Sequence, residues 1–110
     1  MNNATLKAEL GRSAWHLIHV MAGKFPLSPT PDEQAAFRDY IYLFARLYPC
    51  GECAAHFREV LAAHPPDVTN RTTTSQWACE VHNVVNLCLE KPVYDCSKVA
   101  ERWKCGCAED

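Results

Sequence analysis

The chain has no apolar run approaching the ~20 residues a membrane span requires, and no signal peptide is visible at its start. It also has almost no excess charge of either sign: eleven Lys and Arg against thirteen Asp and Glu leave a net charge of −2, scattered through both halves. That balance excludes a DNA-binding stripe, a polybasic membrane anchor and an acidic interaction tail. Internal repeats, low-complexity segments and the alternating pattern of strands are absent too. What remains is 110 residues with 48% apolar composition, too much for a disordered tail and enough for one domain. A chain of this size buries only about two-thirds of its unfolded surface, so covalent staples would help it. Met1-Asn2-Asn3 reads either as an artificial start or as what is left after a targeting segment is removed.

The informative number is seven cysteines: Cys50, Cys53, Cys79, Cys88, Cys96, Cys105 and Cys107. That is well above ordinary usage, yet below the roughly 8–10% of a disulfide-stapled miniprotein. A reducing cytosolic enzyme seldom carries so many, which narrows the choice to an oxidising compartment or a metal site. Two sequons, Asn3-Ala4-Thr5 and Asn70-Arg71-Thr72, fit the secretory pathway, although such triplets also arise by chance.

The pattern predicts an all-α fold. Leu10, Ala14, Leu17, Ile18, Met21 and Phe25 recur at helical spacing from about Leu6 to Phe25, where Pro26 and the Ser28-Pro29-Thr30-Pro31 cluster end the run. Thr30 reads as an N-cap, with Pro31 at the first helical position and Asp32 and Glu33 at the positive end of the dipole. A second helix follows on the stripe Phe37, Tyr40, Ile41, Phe44, Leu47 and Tyr48, until Pro49. A third runs from Pro49-Cys50 through Phe57, Val60 and Leu61 to Pro65-Pro66. The Thr72-Thr73-Thr74-Ser75 stretch caps a fourth, from about Ser75 to Glu90, and a short fifth spans Cys96 to Trp103. Amphipathic helices with short links predict an antiparallel four-helix bundle with a short fifth helix. Residues 1–104 form the helical domain, and 105–110 a C-terminal tail.

Cys50-Gly51-Glu52-Cys53 follows Pro49 and opens a helix. Two sulfurs can meet across one turn there, and the unsatisfied amides favour the thiolate, the attacking species in disulfide exchange. The same four residues are also compatible with half a zinc site or a structural pair. On the fourth helix, at roughly 100° per residue, Cys79, His82, Asn83 and Asn86 share one arc, opposite Trp77, Val81, Val84, Val85, Cys88 and Leu89. Amides and an imidazole in register, where a solvated face would carry Lys and Glu, suggest hydrogen bonding to something bound; a buried polar network is the alternative. Arg12, Trp15 and His19 form a similar arc on the first helix, so the two would frame a cofactor pocket, unless Trp15 and His19 simply pack.

Zinc is a competing reading: Cys50, Cys53, Cys79 and His82 have ligand-like spacing. It needs the middle of the fourth helix to meet the start of the third, and it leaves Cys96, Cys105 and Cys107 without a role. Cys105-Gly106-Cys107 lies beside the terminus, and a disulfide across one residue closes a strained, labile ring, suited to relaying electrons. Two unrelated tail thiols are the alternative. Cys79 and Cys96 remain; joined, they would tie the fifth helix to the fourth for about 3 kcal/mol. Cys88 is expected as a buried thiol on the apolar face.

These residues resemble the Erv/ALR family of FAD-linked sulfhydryl oxidases from Gly11 to Cys107. The likeness is carried by Leu10-Gly11-Arg12-Ser13-x-Trp15 with His19, and by Leu43-Phe44-x-x-Leu47-Tyr48-Pro49-Cys50-x-x-Cys53. Trp77-x-Cys79-x-x-His82-Asn83-x-Val85-Asn86-x-x-Leu89-x-Lys91-Pro92 and Tyr94-Asp95-Cys96 complete it. The terminal Cys-Gly-Cys is similar to that of the fungal endoplasmic-reticulum members, which implies the endoplasmic-reticulum lumen or secretory pathway, with the mitochondrial intermembrane space as the alternative. The resemblance implies FAD held within the helical bundle without a Gly-rich phosphate fingerprint, which this sequence lacks. It makes Cys50 the interchange thiol, Cys53 the thiol against the flavin, Cys105 and Cys107 the shuttle pair, and Cys79–Cys96 a structural disulfide. Gly11, Arg12, Trp15, His19, Cys79, His82, Asn83, Asn86, Lys91, Arg102 and Trp103 fall where the family contacts FAD, with Tyr48, His56 and Tyr94 as weaker candidates. It further implies a homodimer in which the shuttle arm reaches the partner's Cys-x-x-Cys. The electron donor would be a thioredoxin-fold protein such as protein disulfide isomerase, and the acceptor dioxygen, with neither metal nor nucleic acid. Cys88 is no part of the family pattern.

Overall fold

The computed structural model describes residues 3–103. The order is α1 (Ala4–Gly23), α2 (Pro31–Leu47), α3 (Gly51–Ala63) and α4 (Arg71–Cys88), then a 3-10 turn at Cys96–Lys98 that leads into the short α5 (Val99–Arg102). The molecule is therefore all-α with five helices, and α1 packs mainly on α4, α2 on α3, and α3 on α4. Among the described residues no helix is long and apolar enough to cross a membrane.

Each boundary has a local cause. The Asn3 side chain accepts from the amides of Thr5 and Leu6, so α1 starts at Ala4, two residues before the apolar periodicity begins. Thr30 and Glu33 form a reciprocal capping box around Pro31. Tyr48 turns extended because it precedes Pro49, which ends α2. α4 begins at Arg71, four residues ahead of the expected Ser75. Asn70 Oδ1 accepts from the Thr73 amide at 3.0 Å while Thr73 Oγ1 accepts from the Asn70 amide at 3.1 Å. The Asn70 cap pre-empts the threonine stretch, which enters the helix instead. At the far end the Lys91 amide reaches Asn86 O and the Glu90 amide reaches Leu87 O, the two bonds of a Schellman turn. Glu90 takes the left-handed position of that turn, at φ 57°, where glycine is the usual occupant.

The core is built from Ile18 and Ala22 of α1, Phe37 and Ile41 of α2, Phe57 and Leu61 of α3, and Trp77, Ala78 and Val81 of α4. Ala22 and Ala78 are wholly buried small residues on the paired helices α1 and α4. Two polar groups that enter the core are satisfied: Trp77 Nε1 donates to His64 O at 2.9 Å, and Thr74 Oγ1 donates to Asp67 O at 2.7 Å.

Two expectations for α4 fail. Cys88 is exposed, not buried, and so is Leu89, because the last turn of α4 runs past the end of the core. Cys79 is buried along with Trp77, Ala78 and Val81, so the core is not confined to the apolar arc: it covers a broader sector of the helix than the division of side-chain types suggests.

Candidate active site

Cys50 and Cys53 are joined by a disulfide at the start of α3, with their Cα atoms 5.2 Å apart. Cys50 is itself the N-cap, and no side chain caps the helix, so its first amides remain able to stabilise negative charge on sulfur. Cys50 is buried and Cys53 half-buried, which makes Cys53 the more accessible of the two.

An aromatic path leads away from this corner. Tyr48, the last residue before Pro49, packs on Phe44 with ring centroids 5.3 Å apart, Phe44 meets Phe57 edge-on at 6.0 Å, and Phe57 meets Trp15 edge-on at 5.8 Å. Trp15 then stacks on His82, 4.1 Å away and nearly parallel, and His19 stacks on Trp103 in the same way at 4.1 Å. His19 Nε2 and His82 Nδ1 share a hydrogen bond of 2.8 Å that ties the two stacks together. Sequence reasoning placed Phe44 on a core stripe and in the motif that leads to Cys50, and Phe57 on a core stripe alone; their part in this path depends on how α2 and α3 pack.

Both imidazoles are held neutral. His19 has its pKa lowered to about 3, first by burial and then by His82, Arg102 and His16. His82 is lowered to about 4 by burial, then by Arg102 and Lys91. Among the described residues, the buried His19 Nδ1 and Trp103 Nε1 atoms find no hydrogen-bond partner. Such atoms typically cost about 1–3 kcal/mol each, which a ligand offering matching groups would recover.

The segment carrying Trp103 is strapped to α4. Asn83 Nδ2 donates to Tyr94 O at 2.8 Å and Asn83 Oδ1 accepts from the Tyr94 amide at 2.9 Å, so this amide serves the backbone. Asn86 leans on it, 3.4 Å from Asn83 Oδ1. A disulfide joins Cys79 to Cys96, and Gln76 Nε2 donates to Cys96 O at 2.8 Å. The Arg102 guanidinium lies over the Tyr94 ring at 5.0 Å and the Trp103 ring at 4.6 Å.

Thus Trp15, His19, His82, Asn83, Tyr94, Arg102 and Trp103 converge, and Cys79–Cys96 fastens the cluster from behind. Arg12 lies on the exposed face of α1, in an open cavity of about 530 Å³ that it lines with Ser13, His16, Leu17 and Val20; His16 meets Trp103 edge-on at 5.5 Å, so this cavity adjoins the cluster. Lys91 is exposed just beyond α4, and His56 is half-buried one turn after Cys53. Gly11 is half-buried with open space where a Cβ would stand, so no close approach demands glycine there. Cys105 and Cys107 lie outside the described residues. The zinc reading loses its donors: Cys50 is bonded to Cys53, Cys79 to Cys96, and His82 to His19. Among the described residues no group of three His, Cys, Asp or Glu side chains could hold a metal ion.

A family model described as Erv1 / Alr family matches residues 12–104. The chain belongs to that family. It is 39% identical over 109 residues to the "FAD-linked sulfhydryl oxidase ERV2" of Saccharomyces cerevisiae, and 46% identical over 104 residues to the "FAD-linked sulfhydryl oxidase ERV1" of rice, Oryza sativa subsp. japonica. These alignments take in 99% and 94% of this chain, but 56% and 54% of the relatives, so the chain spans about half the length of the curated relatives it matches. In three dimensions it resembles the crystal structure of the FAD binding domain of Erv1 from Saccharomyces cerevisiae, with a TM-score of 0.87 at 36% identity, covering 96% of this chain and 97% of that one. The fold of this Erv1/Alr member is thus that of a domain described as binding FAD, and its paired cysteines and aromatic–imidazole cluster lie within the matched residues.

Proposed function

We propose that this Erv1/Alr chain is the FAD-binding catalytic unit of a sulfhydryl oxidase, which turns protein dithiols into disulfides and dioxygen into hydrogen peroxide. The observation that carries the reading is the aromatic path from the Cys50–Cys53 corner to the clustered His19, His82 and Trp103. The residues fit the cofactor: buried His19 Nδ1 and Trp103 Nε1 call for hydrogen-bond partners, and planar side chains surround them. The cations Arg12, Lys91 and Arg102 would meet a diphosphate. Trp15, Tyr48, His56, Asn83, Asn86 and Tyr94 complete the set of side chains expected around it, with Gly11 and Cys79 behind them. FAD, when bound, takes up two electrons and passes them to dioxygen.

The chain's own residues do the sulfur chemistry. A client dithiol reduces Cys105–Cys107, forming the client disulfide. One thiolate of the reduced tail attacks Cys50 and expels Cys53 as thiolate; the second tail thiol then attacks the mixed disulfide, restoring Cys105–Cys107 and freeing Cys50. Cys53 is the sulfur from which the two electrons leave, and as they leave Cys50 and Cys53 lose their protons and re-form their disulfide. Overall, one client dithiol and one dioxygen become one disulfide and one hydrogen peroxide.

The tail serves the neighbouring subunit of a homodimer. Leu6, Leu17, Leu43 and Leu47 leave α1 and α2 with a broad exposed apolar face, around a groove of about 460 Å³ that Leu10, Tyr40 and Tyr48 also line. The fitting client is a thioredoxin-fold oxidoreductase such as protein disulfide isomerase. The Cys-Gly-Cys tail favours the endoplasmic-reticulum lumen or secretory pathway, with the mitochondrial intermembrane space as the alternative.

Thiol-dependent oxygen uptake tests the reading. Cys50→Ser and Cys53→Ser should each abolish dithiothreitol-driven oxygen consumption, and full retention by either variant would sink it. Cys105→Ser with Cys107→Ser should spare small thiols and impair protein thiols; equal loss on both would remove the shuttle.

A further inference from the structure

One polar contact touches the Cys-x-x-Cys motif and has no part in the chemistry above. Lys7 Nζ lies 2.7 Å from Glu52 Oε1, the one salt bridge among the described residues. Lys7 belongs to the first turns of α1, and Glu52 lies inside Cys50-Gly51-Glu52-Cys53, on the first turn of α3. Side-chain exposure is 30% for Lys7 and 78% for Glu52, so the pair contributes little to folding.

A redox couple responds to the same charges differently. Reducing Cys50–Cys53 creates thiols whose thiolate form the amides of α3 favour, and the Glu52 carboxylate, adjacent in sequence to Cys53, opposes that negative charge. A lysine held on the carboxylate cancels much of the opposition. Glu52 is held ionised, its carboxyl lowered by the Lys7 hydrogen bond and then by the Lys7 charge. Besides Glu52, the ionisable groups nearest in sequence to the pair are Tyr48, kept protonated by burial, and His56 on α3.

We propose that Lys7 is a positioning residue for the redox couple: by pairing with Glu52 inside the motif it relieves the reduced cysteines of a neighbouring negative charge and makes Cys50–Cys53 a stronger oxidant. The inference rests on the oxidase reading above and extends it to what sets the potential of the pair.

The test equilibrates the flavin-loaded full chain anaerobically in glutathione buffers of graded potential, traps free thiols, and quantifies the Cys50–Cys53 peptide by mass. In Lys7→Gln the equilibrium should move about two- to fivefold toward the disulfide, the range an exposed ion pair allows, or about 10–20 mV more reducing at 29.6 mV per tenfold. Glu52→Gln should move it the other way, and Lys7→Gln combined with Glu52→Gln, which restores local neutrality, should return it to the wild-type value. Lys7→Arg should keep the wild-type potential, and added salt should shrink each single-variant shift. An unchanged potential in Lys7→Gln, even with a lowered melting temperature, would reduce the pair to a tether and overturn the proposal; so would a double variant that fails to restore the value. Bleaching of the wild-type flavin by dithiothreitol is recorded alongside. Its failure would strike the oxidase reading alone, since the potentials of the variants are read without turnover.

Discussion

Lowering the pH from 7 to 5 puts the His19–His82 pair under a specific load. Each imidazole is free to protonate in the unfolded chain near its ordinary value of 6.5, but in the folded chain only at about 3 for His19 and about 4 for His82. The unfolded state therefore binds more protons throughout this window, and stability falls as the pH falls. The contribution is complete above about 6.5 and is lost on the way down to the folded values. At pH 5 each ring has lost about 2 kcal/mol relative to pH 7, and the pair about 3–4 kcal/mol, a large share of a small domain's stability. The carboxylates with lowered values, Glu52, Asp67 and Asp95, act in the same direction, but only nearer their ordinary range around 4, below this window. The assay is urea unfolding at pH 7, 6 and 5 with flavin occupancy held fixed, on the wild type and on His82→Phe, which keeps a ring against Trp15. The wild type should lose most of the stated amount, and the variant about half as much, because one titrating ring is gone. Equal slopes in the two proteins, or a wild type indifferent to pH between 7 and 5, would refute the claim that burial holds these rings neutral.

Three further outcomes follow from named contacts. Glu90→Gly should stabilise the protein by about 0.5–1 kcal/mol, measured by thermal unfolding, because Glu90 takes the left-handed position of the turn after α4. Thr30→Ala should cost about 1 kcal/mol in the same assay, since it removes the acceptor for the Glu33 amide and breaks the capping box. Cys96→Ala should cost about 3 kcal/mol for the lost cross-link of Cys79. It should also weaken flavin retention on gel filtration more than Thr30→Ala does, because it frees the segment that carries Trp103.

The folding signals that were plain in the sequence are those that act within a few residues. Thr30-Pro31-Asp32-Glu33 announced the start of α2, and Pro49 its end, because a capping box and a proline need no tertiary partner. The start of α4 was misplaced for a related reason: four consecutive hydroxyl residues looked like the cap, whereas Asn70, just before Arg71, forms the reciprocal bonds with Thr73. Cys88 was misjudged because periodicity says which way a side chain points and not where the core ends. The last turn of α4 extends beyond the layer formed by Trp77 and Val81, and Leu87, Cys88 and Leu89 are all exposed there.

The same division runs through the site. Cys50-x-x-Cys53 after a proline is a local motif with its own chemistry, so it was legible. The polar arc of α4 was legible as something other than a solvated face, but the parts its members play were not. His82 and Asn83 are neighbours in sequence, yet the imidazole bonds to His19 across the α1–α4 packing while the amide is used on the backbone of Tyr94. That separation makes one arc serve two purposes. Asn83 and the Cys79–Cys96 disulfide hold the chain segment that delivers Trp103, and His82 joins His19 and Trp15 in the surface that Trp103 covers. The aromatic–imidazole cluster is completed from outside the four long helices, by a strap that the Cys79–Cys96 disulfide and the Asn83–Tyr94 hydrogen bonds both hold.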